Sequence, residues 1–519
     1  MKALGARSGS RTKEPPKTHP QPPGSWRVQN HVSLPIYAVA LAVSISTWFI
    51  AIRAPLWRDE AVSYWQIAAG FSQIWPRQFV ALSFPAYSYI LWLSTKLIGT
   101  SEIALRIPSV IAMLGAVYLL YLAAREIFER EIAIIAAVIF CLHPIVVFAA
   151  IDIRPYAFGV LVTNAAILIL LRLRRSGSNW LTVLFGLTAA WIIWFHFLMG
   201  VILPALLFCF IVFKFRDRKT LLRQFSVAFA AFALAILPVI PGLIDLFRTS
   251  RVHVCEPAPD LADLASTLLS ANLLFTLCGA ALVVFLVFAA RGRRNTVDRI
   301  EGWHLLLCMS LAFIPLLILF GVSVGTPIHM FTPRHRLEAV PGIALCWAFV
   351  VSRFHSRTIR LLFCVTLVAT TAFQCFTSPL PRHHEVSMKY ALDLVERNAS
   401  VDDAPVVICS VFIESDSWAI PSMETVKGNV LFAPLLYYKL SVPVVPLPQS
   451  LTDGAIQEAS RFLREAAQNH VRFLVVADQE LSYKTLDWFA HNAVATHSMH
   501  KLGVFDGMEV VEFVPRAGS

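Results

Sequence analysis

Charged residues are scarce in this sequence. Aspartate, glutamate, lysine and arginine make up 15% of its 519 residues, whereas about 25% is usual in soluble proteins. Hydrophobic residues make up 57%, and they fall into runs of about 20 residues, the length of a helix that crosses a lipid bilayer. The composition argues against a water-soluble fold and predicts a mostly α-helical, polytopic membrane protein.

Paired cysteine motifs are also absent. The nine cysteines form no CxxC pair, and those inside apolar runs are expected to pack as small hydrophobic side chains. These are Cys141, Cys209, Cys278, Cys308, Cys346 and Cys364. His253, Cys255 and Glu256 lie close together in one loop but lack the paired spacing of a zinc site. No cofactor is therefore predicted, and a divalent metal ion is left open.

The two ends of the chain lack the long apolar runs of its middle. Residues 1–30 are rich in proline, lysine and arginine, which predicts a disordered basic cytoplasmic tail and not a cleaved signal. After residue 378, strand-like runs at 405–409, 443–447 and 471–477 accompany an amphipathic helical pattern at 455–469. The predicted domains are the tail, a transmembrane domain over 31–378 and an extracytoplasmic α/β domain over 379–519. The last carries no nucleotide fingerprint, and a structural or acceptor-binding role is expected.

The net charge of +11 raises the question of a nucleic-acid partner. The positions of the basic residues argue against such a partner, because these residues cluster in short loops between apolar runs. Such clusters are typical of the cytoplasmic loops of membrane proteins. The clusters are Arg172, Arg174, Arg175; Lys214, Arg216, Arg218, Lys219; Arg291, Arg293, Arg294; and Arg353, Arg357, Arg360. The charge therefore indicates membrane orientation, and no nucleic-acid partner is predicted.

Eleven spans are predicted, with the amino terminus on the cytoplasmic side of the membrane and the carboxyl terminus on the outer side. They lie near residues 34–52, 105–123, 132–150, 155–171, 180–197, 198–213, 225–245, 271–290, 303–323, 338–352 and 359–377. One more apolar stretch, 79–99, is interpreted as an interfacial or re-entrant helix. It contains Pro85, Lys96 and several aromatic residues of the headgroup zone, and counting it as a span would turn the basic loops outward.

The strongest local signal is the pair Asp59 and Glu60, which follows the first span directly and comes after Arg58. Adjacent carboxylates at the membrane edge are costly, so they are candidates for function. The alternative is that they only stabilise the amino terminus of the next helix, where acidic residues are favoured.

Further candidates lie on the same predicted face. Arg154 and Tyr156 stand between two spans, and an arginine there suits a lipid phosphate because its planar fork binds two oxygens; a surface ion pair with Asp152 is the alternative. Residues 332–338 contain Arg334, His335 and Arg336, which would cradle a phosphate or merely anchor the interface. Arg106, which opens the second span, is another phosphate candidate. His196 is either a substrate contact or a packed interfacial histidine.

Taken together, these segments resemble the GT-C superfamily of membrane glycosyltransferases, in particular the bacterial branch related to protein O-mannosyltransferases and lipid A aminoarabinose transferases. Residues 57–64 resemble the first-loop motif of that family, and 101–109 the segment that opens its second span. Residues 154–157 are similar to its arginine-proline-tyrosine motif, and 331–341 to its late arginine-rich loop. The resemblance covers residues 34–350 in order.

The resemblance implies transfer of a sugar from a polyprenyl-phosphate donor to a lipid, protein or glycan acceptor outside the membrane. Asp59 would be the base that deprotonates the acceptor hydroxyl, and Glu60 and the arginines would orient the acceptor or neutralise the leaving phosphate. The predicted catalytic residues are Asp59 and Glu60, and the predicted substrate-binding residues are Arg58, Arg106, Arg154, Tyr156, His196, Arg334 and Arg336.

Two departures from the family pattern bear on the substrate. Residues 82–87 keep one proline and no charge where the family often has a histidine or lysine, and Arg334 precedes His335 where many relatives have tyrosine.

Two other functions stay open from the sequence alone. A transporter or flippase of lipid-linked sugars is expected to show internal repeats or midplane charges, and a lipid-linked oligosaccharide ligase to lack the early acidic pair.

Overall fold

The computed structural model of the chain describes residues 30–81, 85–214, 218–249, 257–268, 302–354, 356–377, 387–399 and 402–516. Its amino-terminal part is helical. The helices are α1 Asn30–Ser46, α2 Arg58–Ala68, α3 Phe71–Ala81, α4 Pro85–Ile98, α5 Glu102–Arg125, α6 Arg130–Leu142, α7 Pro144–Ala150, α8 Tyr156–Ser176, α9 Asn179–Phe195, α10 Leu203–Lys214, α11 Arg218–Ile236, α12 Ile240–Thr249, α13 Leu261–Leu268, α14 Gly302–Gly325, α15 Val340–Ser352 and α16 Arg357–Thr377. Short 3-10 helices at Thr47–Ala51, Phe197–Ile202, Leu237–Val239 and Pro333–Ala339 join some of them.

Five helical segments in these ranges are long and apolar enough to cross a membrane, so the chain is a multi-pass membrane protein. They are Leu34–Ala51, Glu102–Arg125, Tyr156–Ser176, Lys219–Leu246 and Gly302–Gly325. Asn179–Phe195 and Phe197–Phe213 are shorter apolar helices. The predicted span 271–290 lies outside the described residues, and the total of eleven stays a prediction.

The predicted span 132–150 is bent. Its two helices, α6 and α7, meet at an angle of 72°. His143 lies between them with an extended backbone, φ −65° and ψ 128°, because the ring of the following Pro144 disfavours helical geometry in the residue before it. Helix α7 leads directly into the loop that carries Asp152 and Arg154.

The apolar stretch at 79–99 forms a short helix over its second part. Helix α4 has 14 residues, about 21 Å of length, which is less than a bilayer needs. Its buried residues Ala86, Tyr87 and Leu91 pack in one cluster with Ile67 of α2 and Leu105 of α5. The length and the packing fit the interfacial interpretation of this segment.

The long helices separate two chemically different ends of the bundle. Helix α8 begins at Tyr156, beside Arg154, and its 21 residues place Arg174 and Arg175 about 30 Å away. Two of the predicted cytoplasmic basic clusters meet acidic residues at that far end. These ion pairs are Arg172–Glu126, Arg175–Glu126, Arg357–Glu131 and Arg360–Glu129. The cluster 291–294 lies outside the described residues.

A close helix contact fixes the segment that carries Arg334. Gly342, at the start of α15, lies against the backbone of α14, and an added Cβ atom would be 2.3 Å from the amide nitrogen of Ala312. Only glycine allows this approach. The preceding 3-10 helix, Pro333–Ala339, is therefore held against the bundle at its carboxyl end.

The carboxyl-terminal part contains a five-stranded mixed sheet. Its strands are β1 Val406–Cys409, β2 Val444–Leu447, β3 Phe473–Asp478, β4 His497–Phe505 and β5 Met508–Pro515, in the order β2-β1-β3-β5-β4. Its helices are α17 Lys389–Ala399, α18 Ala433–Tyr437, α19 Asp453–Gln468 and α20 Tyr483–Ala493, with 3-10 turns at Ile413–Asp416, Val426–Gly428 and Val430–Phe432.

Strand β1 pairs in parallel with β2 and β3, and β5 pairs antiparallel with β3 and β4. The predicted fold class, a transmembrane helical protein with a small carboxyl-terminal α/β domain, is confirmed. The predicted strands correspond to β1, β2 and β3, and the predicted helix 455–469 to α19. The hairpin β4–β5 was not predicted. The residue limits of the domains stay predictions.

Candidate active site

The chain between the first span and α2 positions the acidic pair. Trp57 precedes α2 with an extended backbone, and its N–H donates to Glu60 Oε2 at 3.3 Å. This is half of a capping box, in which the third helical residue reaches back to the cap. Asp59 and Glu60 therefore lie in the first turn, as expected for acidic residues, but their side chains point to different surroundings.

Glu60 is buried in an ion pair with Arg106. The distance from Arg106 Nη2 to Glu60 Oε2 is 2.7 Å, and both side chains are 0% exposed. Glu60 Oε1 also accepts from Arg106 Nε at 3.3 Å and from the N–H of Ile153 at 3.0 Å. The carboxylate thus joins α2, α5 and the loop before α8.

Arg106 has no donor left for a substrate. A guanidinium has five N–H groups, and those not used by Glu60 donate to backbone oxygens of the loop before α2. The acceptors are Ile52 O at 2.9 Å, Ala54 O at 2.5 Å and Pro55 O at 3.3 Å. The structure therefore does not support the predicted substrate contacts of Arg106, because its burial and its bonds assign it to holding the loop. The same geometry leaves Glu60 no free oxygen for chemistry.

Asp59 faces a partly open space lined by arginines. Its Oδ2 accepts from Arg334 Nη1 at 2.8 Å, and the two side chains are 20% and 26% exposed. Arg58 Nε lies 4.0 Å from Asp59 Oδ1, and Arg154 Nη1 donates to the backbone oxygen of Asp59 at 3.4 Å. Burial raises the pKa of the Asp59 carboxyl, but Arg334, Arg154 and Arg58 together hold it below its ordinary value. Asp59 is therefore an ionised, accessible carboxylate.

Arg154 keeps bonding capacity for a ligand. Its buried Nε–H has no acceptor among the described residues, and a buried donor without a partner is costly unless a ligand supplies one. Its guanidinium carbon lies 6.0 Å from the ring of Tyr156, and that of Arg334 lies 5.8 Å from the ring of Trp57. The two arginines thus flank Asp59, each beside an aromatic ring.

Two histidines complete this side of the site. The ring of His196 lies 5.3 Å from that of Tyr156 and 6.0 Å from that of His335. His335 Nδ1 is 3.0 Å from the backbone oxygen of Met330. Burial, and then the charges of Arg334 and Arg154, lower the pKa of His335 to about 3. His335 is therefore a neutral imidazole at physiological pH, although the sequence suggested another cation.

Arg336 points elsewhere. A 3-10 helix has three residues per turn, so side chains two positions apart leave on different faces. Arg336 Nη1 donates to the backbone oxygen of Asp263 at 2.9 Å and to the Thr267 hydroxyl. The predicted substrate contact of Arg336 is not supported, because the residue ties Pro333–Ala339 to α13.

Asp152 is a buried acid that the sequence did not single out as a site residue. Its Oδ1 accepts from Trp57 Nε1 at 3.2 Å, and its Oδ2 has no partner among the described residues. Burial, and then the negative charge of Glu60, raise the pKa of Asp152 well above its ordinary value. The suggested ion pair with Arg154 is replaced by the bond to Trp57.

Metal binding has no support within the described ranges, where no three histidine, cysteine or acidic side chains are grouped as ligands. The loop group His253, Cys255 and Glu256 lies outside them. What the geometry assembles is one ionised carboxylate, Asp59, beside two arginines, Arg154 and Arg334. Such a site can accept a proton and neutralise an anion in the same small volume.

Comparisons with known proteins give a family match over part of the chain and similar solved structures. Residues 83–244 match the model of the family described as Dolichyl-phosphate-mannose-protein mannosyltransferase. The crystal structure of ArnT from Cupriavidus metallidurans bound to undecaprenyl phosphate matches with a TM-score of 0.53 and 11% identity, over 92% of this chain and 97% of that chain. The apo structure of that protein matches with a TM-score of 0.51 and 11% identity, over 93% of this chain and 98% of that chain.

The apo oligosaccharyltransferase from Archaeoglobus fulgidus gives a TM-score of 0.49 and 13% identity, over 88% of this chain and 70% of that chain. A sequence comparison with curated proteins gives no significant match. The chain is thus similar in fold to ArnT, and residues 83–244 are similar in sequence to the mannosyltransferase family.

Proposed function

We propose that this protein transfers a sugar from a polyprenyl-phosphate donor to an acceptor on the extracytoplasmic face of the bacterial inner membrane. The observation that carries the proposal is the placement of the Asp59 carboxylate against Arg334, with the unpartnered N–H of Arg154 on the other side. The fold relative ArnT, bound to undecaprenyl phosphate, supports a lipid phosphate as the carrier.

In the proposed reaction the acceptor hydroxyl oxygen attacks the anomeric carbon of the donor sugar. The bond between that carbon and the phosphate oxygen breaks, and the polyprenyl phosphate leaves with the electron pair. Asp59 takes the hydroxyl proton as general base. Arg154 and Arg334 neutralise the leaving phosphate, which is the main electrostatic demand of the step. Tyr156 lies beside Arg154, and His196 lies beside Tyr156. Both line the sugar side in this scheme, and Arg58 adds a positive charge near Asp59.

In this scheme the Asp59 carboxylate and the donor phosphate compete for the guanidinium of Arg334. Without a donor it bonds to Asp59 and lowers the pKa of that carboxyl. A donor phosphate competes for the same guanidinium, because phosphate oxygens accept bidentate bonds from arginine. As Arg334 turns towards the phosphate, Asp59 loses a neighbouring charge and becomes the stronger base. Binding of the donor therefore increases the basicity of Asp59.

The function is tested by comparing cells with and without the gene. Mass spectrometry of their lipids, glycoproteins and cell-wall glycans should show one sugar modification missing in the deletion strain. The polyprenyl-phosphate sugar that supplies it should accumulate, because its consumer is gone. Identical lipids and glycans in the two strains would rule the proposal out. The identity of the missing modification also identifies the sugar and shows whether the acceptor is a lipid, a protein or a glycan.

We expect Arg334→Ala to lower kcat/KM for the donor by roughly 10- to 150-fold, the value of a lost charge-assisted hydrogen bond of about 1.5–3 kcal/mol. Arg154→Ala should have a similar effect, and lysine should rescue either only in part. Removing Arg334 also raises the pKa of Asp59, so the loss of activity on acidification should begin at a higher pH. The measurement is the pH profile of kcat/KM, which reports groups of the free enzyme.

Arg336→Ala is the matched control for Arg334→Ala. It removes the same charge from the same 3-10 helix, but Arg336 contacts α13 and not Asp59. The acidic limb of its pH profile of kcat/KM should coincide with that of the wild type. Equal donor kinetics in wild type, Arg334→Ala and Arg154→Ala would show that these arginines anchor the interface and do not hold the donor.

The site and the carboxyl-terminal domain are proposed to face the extracytoplasmic side, because two of the basic clusters lie at the opposite end of the bundle. Fusion of alkaline phosphatase after residue 380 should give an active phosphatase, and a fluorescent protein that matures only in the cytoplasm should stay dark there. An inactive phosphatase together with a fluorescent fusion would instead indicate that the site faces the cytoplasm.

A further inference from the structure

The helix that carries Asp59 also belongs to the carboxyl-terminal domain. Ala61, Val62 and Trp65, on the face of α2 away from the ion pair, are buried in one hydrophobic cluster with Leu392 and Val430 of that domain. Trp65 Nε1 donates to the backbone oxygen of Gly428 at 2.7 Å. Helix α2 is thus packed on both sides, with its first turn in the site and its middle in the core of the α/β domain.

One tyrosine of that domain bonds directly to the chain that leads into α2. The hydroxyl of Tyr438 accepts the N–H of Leu56 at 2.7 Å and donates to Glu102 Oε1 at 2.9 Å. Leu56 is 1% exposed, and Glu102 is the first residue of α5. A single oxygen therefore connects the loop before Asp59, a membrane span and the carboxyl-terminal domain.

Neighbouring bonds strengthen this junction. Lys389, which begins α17 of the carboxyl-terminal domain, forms an ion pair with Glu102 at 2.8 Å. The hydroxyl of Tyr437 donates to the backbone oxygen of Thr100 at 2.9 Å, and its ring lies 4.9 Å from that of Tyr64. The Tyr437 hydroxyl bonds to no atom of the loop before α2, which makes it a natural comparison.

The segment 52–57 is consequently held from two sides. Arg106 binds three of its carbonyl oxygens from the membrane bundle, and Tyr438 binds the N–H of Leu56 from the opposite domain. Asp59 follows Leu56 by three residues, so a shift of this loop moves the carboxylate. Displacement of a reacting group by about 1 Å can lower a rate about 100-fold.

We infer that Tyr438 is a positioning residue for Asp59, through which the carboxyl-terminal domain acts on the chemical step. The inference rests on the proposed sugar transfer and deepens it, since it gives this domain a part in the reaction beyond acceptor binding. Tyr438 touches no reacting atom. It fixes the loop whose geometry sets the distance from Asp59 to the acceptor hydroxyl.

The test compares Tyr438→Phe with Tyr437→Phe in the full-length protein. Each variant loses one hydroxyl from adjacent tyrosines and keeps the ring. We expect Tyr438→Phe to lower kcat about tenfold or more while the donor KM stays within about twofold, and Tyr437→Phe to leave both near the wild type. A general loss of stability would instead change the amount of active protein and leave the turnover per folded molecule unchanged.

Hydrogen–deuterium exchange supplies a readout that needs no sugar transfer. Amides of residues 52–60 should exchange faster in Tyr438→Phe than in Tyr437→Phe and wild type, because the buried N–H of Leu56 has lost its acceptor. Equal exchange in the two variants, or equal kcat in an active enzyme, would overturn the positioning role. If the wild type itself transfers no sugar, the proposed function fails, while the exchange comparison still decides whether Tyr438 holds the loop.

Discussion

Asp59→Asn should abolish sugar transfer in a protein that is still folded and inserted. Asparagine has nearly the same shape as aspartate and can still accept a bond from Arg334, but it cannot take a proton from the acceptor. Loss of a general base lowers rates by about 100- to 10,000-fold. The measurement is glycosylated product per inserted molecule, with the membrane level and the thermal midpoint of each variant determined alongside.

Asp152→Asn is the control for this result. Asp152 lies in the same region, but it is buried, and burial and the charge of Glu60 raise its pKa, which favours the neutral form that an amide resembles. The bond from Trp57 Nε1 is retained, and turnover should stay near the wild type. If Asp152→Asn loses turnover and Asp59→Asn does not, the base is Asp152; if both variants keep it, the proposed mechanism is wrong.

The second large effect is expected on stability. Arg106→Met leaves Glu60 buried without its cation and leaves the carbonyl oxygens of the loop before α2 without donors. Breaking a buried ion pair on one side costs about 3–5 kcal/mol. We therefore expect a strong drop in the thermal midpoint of the detergent-solubilised protein and less protein in the membrane. Glu60→Gln, which removes the charge but keeps an acceptor, should be milder.

Arg461→Met provides the comparison for Arg106→Met. Arg461 forms an exposed ion pair with Glu458, with side chains 63% and 43% exposed, and such pairs contribute about 0–1 kcal/mol. The double variant Arg106→Met with Glu60→Met should recover only part of the loss, because the loop carbonyl oxygens stay unsatisfied. Equal thermal midpoints for Arg106→Met and Arg461→Met would contradict a structural role for the buried pair.

The sequence could predict which segments meet but not which side chains face each other. Asp59 and Arg334 are 275 positions apart, and only the sidedness of the spans indicated that they share a face. Asp59 and Glu60 are adjacent, and their different environments depend on how α2 is rotated against α5. That rotation follows from tertiary packing, which a single sequence does not display.

Local geometry explains the other differences. The sequence predicts one basic group that includes Arg334 and Arg336, but the 3-10 turn directs their side chains to different faces. The hairpin β4–β5 had a readable signal, since Asp506 and Gly507 both have positive φ, 47° and 80°, as in the two-residue turn that Asp-Gly favours.

The shared position of α2 has a consequence for folding. Ala61, Val62 and Trp65 complete the hydrophobic core of the carboxyl-terminal domain, although more than 300 residues separate them in sequence from Leu392 and Val430. That core is therefore assembled from segments at distant positions in the chain. Leu392 and Val430 follow all the helices of the amino-terminal part in the chain, so this core cannot close over α2 until those helices have been synthesised.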